Sequence, residues 1–145
     1  MIDILTQFAA GCLGAWCYGY LFSVPVRILW PGCVLGGLSL LCAQLSGEYV
    51  FWGTALGALL VGLFSHYFAP RLRVPITPLI IPGIITLVPG ISAFNAIIAA
   101  IEGDILAGLT GLMNVGAYTI AIALGLSAAE QIFASWRRLR RSNTQ

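Results

Sequence analysis

Residues 78–101 read PLIIPGIITLVPGISAFNAIIAAI. They are apolar enough to lie in hydrocarbon, yet Pro78, Pro82-Gly83 and Pro89-Gly90 interrupt any helix built from them. Each interior proline removes one helical N–H bond and presses on the carbonyl four residues back. The residue before it is pushed toward extended geometry. Lipid offers no water to the freed groups, so such backbone at membrane depth must be buried in protein or line a polar cavity. A kinked scaffold helix is the plain alternative, but one proline suffices for a kink, and here Pro-Gly occurs twice. A span drawn from Pro75 to Ile101 covers 27 residues, with Pro89-Gly90 about halfway along it. Beyond the break, Ile91–Ile101 makes a half-helix of roughly 16 Å. Its first N–H groups are free and carry the positive end of the helix dipole, which is how broken transporter helices hold anionic groups of their substrates. Thr86 in the linker, the Pro89 and Gly90 backbone, and Ser92 and Asn95 in the first turns become candidate substrate contacts.

The rest of the chain places this segment in a membrane. Of 145 residues, 59% are hydrophobic and 8% charged, with a mean hydropathy of +0.96, whereas soluble domains carry about 25% charge. The expected class is an all-α integral membrane protein of one domain, solvated by the lipid bilayer. Apolar runs near the length a crossing needs, about 20 residues, occur at 4–22, 26–45, 49–68, 75–101 and 105–126. The N-terminus lacks the basic region and cleavage site of a signal peptide, so its first apolar run is expected to stay. Cys12, Cys17, Cys33 and Cys42 lie in apolar runs without CxxC spacing or a nearby His, so no metal or other cofactor is expected.

The connections alternate in sign. Arg27 follows the first run, Glu48 the second, Arg71 and Arg73 the third, Glu102 and Asp104 the fourth, and Arg137, Arg138, Arg140 and Arg141 the fifth. Arginine marks the cytoplasmic side. Five crossings in a bacterial cytoplasmic membrane, with the N-terminus outside and the C-terminus inside, satisfy every connection. The arginine cluster is assigned to lipid headgroups, and no nucleic-acid partner is expected. Tyr18, Tyr20, Trp30, Tyr67 and Trp136 fall near the arginine side, as interfacial aromatics do.

Beyond Leu126, Ser127-Ala-Ala-Glu130 matches a capping box. Ile132, Phe133, Trp136 and Leu139 then recur at helical spacing opposite Gln131, Arg137, Arg138 and Arg141. The pattern predicts a short amphipathic helix over 128–141 on the cytoplasmic surface; a single long helix from Ile105 to Trp136 is the alternative. Small residues at close spacing, including Gly11, Ala15 and Gly19, Gly32, Gly36 and Ser39, Gly53 and Gly57, and Ala121 and Gly125, predict tight helix contacts. Asn114, nine residues into the fifth run, needs a partner in lipid. A helix–helix hydrogen bond or a substrate would serve equally, and the neighbouring break favours the substrate.

The run Pro82-Gly83-Ile84-Ile85-Thr86-Leu87-Val88-Pro89-Gly90 with Ser92 following, together with Val24-Pro25-Val26-Arg27, Asn114 and Gly125-Leu126-Ser127, resembles the threonine/serine exporter family. More narrowly, it is similar to the small membrane subunit that corresponds to the C-terminal half of fused exporters. The resemblance implies export of small hydrophilic carboxylates, threonine and serine in some members and C4-dicarboxylates such as succinate in others. It also implies a larger membrane subunit as partner, and carries Pro82, Pro89, Gly90, Ser92 and Asn114 over as pathway residues. An intramembrane enzyme would need a nucleophile and base or paired carboxylates at one depth. His66 and the Glu102–Asp104 pair fall at opposite faces, so catalysis is not expected. His66 and Glu130, both near the arginine side, are read as interfacial residues rather than a proton relay. A non-transporting assembly subunit is the remaining alternative.

Overall fold

The computed structural model describes residues 2–46 and 49–142, with side chains from 4 to 137. Glu48, on which one of the alternating charges rests, lies outside them. Six helices follow one another without a strand among the described residues: α1 Ile2–Leu21, α2 Val26–Leu45, α3 Val50–Leu72, α4 Thr77–Ile85, α5 Gly90–Ile101 and α6 Ile105–Ser142. α2, α3 and the Ile105–Arg137 part of α6 are long and apolar enough to cross a membrane, and α4 with α5 make a fourth candidate bent by 48°. α1, 20 residues long, carries Thr6 and Gln7 near one end and Tyr18 and Tyr20 near the other, and is less apolar.

The two connections at the arginine-bearing end are built alike. Ser23 (φ 54°) and Arg73 (φ 53°) take the left-handed conformation just past α1 and α3. The N–H of the next residue returns to a carbonyl five back, Val24 to Gly19 at 2.9 Å and Val74 to Ala69 at 3.1 Å. This is the Schellman closure, and Pro25 and Pro75 stop the helix from resuming at once. Val24 and Val74 then pack on one cluster with Ile28, Ala69 and Leu79, which ties the two corners together.

Glycine sets the helix contacts, as the small-residue spacing predicts. A Cβ on Gly11 would lie 2.9 Å from the Gly36 carbonyl oxygen, and one on Gly57 would lie 2.8 Å from that of Ser39. Helix backbones therefore touch where a methyl group would hold them apart. α4 sits between α1, α2 and α3 with Leu79, Pro82 and Gly83 buried. Pro82-Gly83 does not break the helix, contrary to expectation. The proline ring fills the space over Gly32 at 3.5 Å, and tight packing on three sides holds the turn that the missing N–H leaves weak. Only the second pair lies at an interruption.

α6 takes the alternative of a single long helix from Ile105 rather than the amphipathic surface helix over 128–141. It is one helix of 38 residues, about 57 Å long, and no separate surface helix begins at Ser127. Gly125 is not a helix stop: a Cβ there would meet the Ala58 Cβ at 2.9 Å, so the glycine serves close approach to α3. Ala129 is buried against Gly62 one turn later, and His66 stacks near Phe133 at 5.1 Å. The predicted tail is thus a continuation fastened to α3. Ala58 beside Gly125, Gly62 beside Ala129 and His66 beside Phe133 show α3 and α6 running parallel, each residue facing the one 67 positions later.

Candidate functional site

The interruption between α4 and α5 is short and has a definite geometry. α4 tightens as it ends, with the Leu87 N–H donating to the Ile84 carbonyl at 2.7 Å and Val88 to Ile85 at 3.4 Å. Pro89 (φ −78°, ψ 57°) is then the centre of an inverse γ-turn, closed by the Gly90 N–H donating to the Val88 carbonyl at 2.8 Å. α5 starts there. The N–H groups of Ile91 and Ser92 have no backbone acceptor among the described residues, as expected for a first turn.

Because Leu87 turns to Ile84, the Gly83 carbonyl loses its helical partner. Two hydroxyls take its place. Ser39 Oγ, fully buried on α2, lies 3.1 Å from the Gly83 oxygen and 2.9 Å from that of Gly36. Thr86 Oγ1 lies 3.1 Å from the Gly83 oxygen, 3.3 Å from that of Gly36 and 3.3 Å from Ser39 Oγ. Each hydroxyl has one proton to donate, so the two exchange roles over two carbonyls. Thr86, a sequence candidate, thus latches the break to α2, and Ser39 is the partner that sequence reading assigned to packing alone.

Beside the latch lies a cavity of about 390 Å³. Leu40, Ala43 and Gln44 of α2, Val50 and Thr54 of α3, Thr86, Leu87 and Pro89 of the break, and Tyr118 of α6 line it. The Thr54 hydroxyl donates to the Val50 carbonyl at 2.8 Å, which leaves its oxygen free to accept. The polar lining is therefore Gln44, Thr54, Thr86 and Tyr118, next to the positive end of α5. The free N–H groups at the start of α5 suit an anionic group, while the Thr54 and Thr86 hydroxyls, whose protons go to backbone carbonyls, offer acceptors to a hydroxyl or ammonium group.

The remaining candidates fall on a second surface. α5 packs on the first half of α6 in antiparallel fashion: a Cβ on Gly111 would meet the Ala96 Cβ at 2.6 Å, and one on Gly108 that of Ala100 at 2.6 Å. Ser92, one turn before Ala96, and Asn114, one turn after Gly111, therefore sit on facing rows at neighbouring levels. Both are exposed, and neither side chain forms a hydrogen bond among the described residues. Asn114 lies one turn from Tyr118 on the same α6 face, which continues the row toward the cavity. Asn95 is exposed and lines no part of the cavity. Gln44, Thr54 and Tyr118 had no sequence signal beyond being polar in apolar runs. His66 is buried with Nδ1 2.8 Å from the Gly62 carbonyl, while Glu130 is exposed and does not meet it.

Two helix registers fix the level of the break along the bundle. By the α3–α6 register Val50 is level with Ala117, and by the α5–α6 register Gly90 is level with that same turn. The break thus lies level with the end of the α2–α3 hairpin. α5 and about 18 Å of α6 stand beyond it, with Ile91, Phe94, Ile97, Leu106 and Leu109 exposed.

A helical membrane protein with three or four candidate spans and a cavity with polar side chains beside a bent helix pair is the class these features define. Residues 7–132 match the family model described as "Threonine/Serine exporter, ThrE". The chain belongs to the threonine/serine exporter family. No solved structure matches it.

Proposed function

We propose that this chain is the small subunit of a secondary exporter and moves small carboxylates, threonine and serine or a C4-dicarboxylate such as succinate, out of a bacterial cell together with a larger membrane subunit. Its five crossings would be α1, α2, α3, the bent α4–α5 pair and α6, with the arginine-bearing end in the cytoplasm and the N-terminus outside. The observation that carries the reading is the cavity at the break, where Gln44, Thr54, Thr86 and Tyr118 meet the start of α5 in a chain of exporter family.

In this mechanism the substrate carboxylate rests against the free N–H groups of Ile91 and Ser92, where aligned peptide dipoles favour negative charge. Tyr118 and Gln44 donate to its second oxygen, and Thr86 and Thr54 accept from a hydroxyl or ammonium group. Pro89 and Gly90 shape the turn, and Ser92 and Asn114 line the way out of the cavity. The larger subunit supports this arrangement by covering the apolar face of α5 and the first turns of α6, where Ile91, Phe94, Ile97, Leu106 and Leu109 are exposed. Packing a second, similar half there would complete a pathway between two repeats.

The test is export of labelled threonine, serine and succinate from cells holding this chain, the larger subunit, both or neither. Export only with both is the expected result. Tyr118→Phe should weaken it about tenfold, the worth of one hydrogen bond to a charged group. Export that is unchanged without this chain would leave it the role of an assembly subunit.

A further inference from the structure

At the arginine-bearing end, away from the break, α3 and α6 enclose a groove of about 550 Å³ lined by Leu63, Phe64, Tyr67, Ile132, Phe133 and Trp136. Both walls repeat one pattern. On α3 the Arg71 guanidinium carbon lies 4.2 Å from the Tyr67 ring centroid, and on α6 that of Arg137 lies 4.8 Å from the Phe133 centroid. In each case the arginine follows its aromatic ring by four residues, one helical turn. The parallel register of the two helices makes Arg71 level with Arg137 to within one residue. Neither guanidinium is paired with a carboxylate among the described residues. Each wall of the apolar slot therefore carries a cation at the same level along the bundle, steadied on a ring that forms part of that wall.

We propose that this groove binds one anionic phospholipid, with an acyl chain between the α3 and α6 aromatics and the phosphate between Arg71 and Arg137. The site uses both ligand chemistries at once. Planar guanidinium groups recognise phosphate through paired N–H donors, and the slot is lined almost wholly by carbon, its polar side-chain atoms being the Tyr67 hydroxyl and the Trp136 N–H. Trp136 and Tyr67 lie at the level where aromatic rings meet the headgroup region. A bound lipid would also bridge α3 to the terminal turns of α6, beyond the contacts of Gly62 with Ala129 and His66 with Phe133.

The experiment is native mass spectrometry of the purified full chain in neutral detergent, titrated with phosphatidylglycerol and, separately, with phosphatidylcholine of the same chains. One phosphatidylglycerol should remain bound at energies that strip phosphatidylcholine. Arg71→Gln and Arg137→Gln should each weaken retention about fivefold, and together about 25-fold, from the worth of one arginine beside an anionic headgroup. Arg73→Gln removes the same charge from the same end but not from the groove, and should leave retention unchanged. Leu63→Trp, which fills the slot, should lower retention of both lipids. Equal losses from Arg73→Gln and Arg71→Gln would reduce the effect to general attraction and overturn the site. Displacement by glycerol 1-phosphate would make it a site for soluble anions, and a retained second copy of the chain in place of lipid would make the groove a protein interface. Either result refutes the proposal.

Discussion

Removing both hydroxyls that hold the Gly83 carbonyl should cost more than the sum of removing each. With Ser39→Ala, Thr86 still reaches the Gly83 oxygen at 3.1 Å; with Thr86→Val, Ser39 reaches it at 3.1 Å. Either single change loses one hydrogen bond of two and leaves no orphan. Membrane-protein hydrogen bonds average about 0.6 kcal/mol, so each single variant should lose roughly 0.5–1 kcal/mol. The double variant leaves a buried carbonyl whose backbone partner Leu87 is committed to Ile84, which adds about 1–2 kcal/mol of uncompensated desolvation. The Gly36 carbonyl suffers less, since it lies inside α2 with a ladder partner of its own. A double-mutant cycle measured by denaturant unfolding of the detergent-solubilised chain should therefore show a coupling of at least 1 kcal/mol, against an additivity error of about 0.3–0.5 kcal/mol for unconnected sites. Additive losses would refute the accounting, and with it the idea that the latch determines where α4 ends.

Other outcomes follow from the same contacts. Gly125→Ala should loosen α6 from α3 and destabilise the chain by about 1–3 kcal/mol, because the new methyl meets the Ala58 Cβ at 2.9 Å. Gly116→Ala, with nothing within 4 Å of its Cβ, should be neutral or slightly stabilising; unfolding curves of the two variants make the comparison. Ser23→Gly relieves a left-handed φ of 54° and should stabilise by about 1 kcal/mol, read as a higher melting temperature. Asn114→Ala should leave abundance and unfolding of the isolated chain unchanged, since the amide has no partner there, while lowering export by the two-subunit complex.

Much of the fold can be read from the sequence because its punctuation is chemical. Val-Pro after α1 and α3 marks two corners that the structure builds alike, and the start of α6 at Ile105 follows the acidic turn. The small-residue spacings locate real backbone contacts. Three features escape such reading for physical reasons. Pro82-Gly83 stays helical because three helices pack around it, which local propensity does not record. α6 continues past Ser127 because Ala129 finds Gly62, a contact between residues far apart in sequence. The level of the break depends on where α5 docks along α6, whereas counting residues assumes a straight span. Of the candidate site, Thr86 and Pro89 were legible from the break itself. Ser39, Gln44, Thr54 and Tyr118 were not, since only the fold brings four separate elements to one cavity.

The central claim is that carboxylate substrates pass the cavity at the break between α4 and α5. The most direct measurement is labelled-threonine, serine and succinate export by cells with both subunits, comparing Tyr118→Phe and Thr54→Val with the unaltered chain at equal membrane abundance. The account predicts export of at least one of these solutes reduced about tenfold by Tyr118→Phe, with Thr54→Val lowering it in the same direction. Full export of all three by both variants would contradict it.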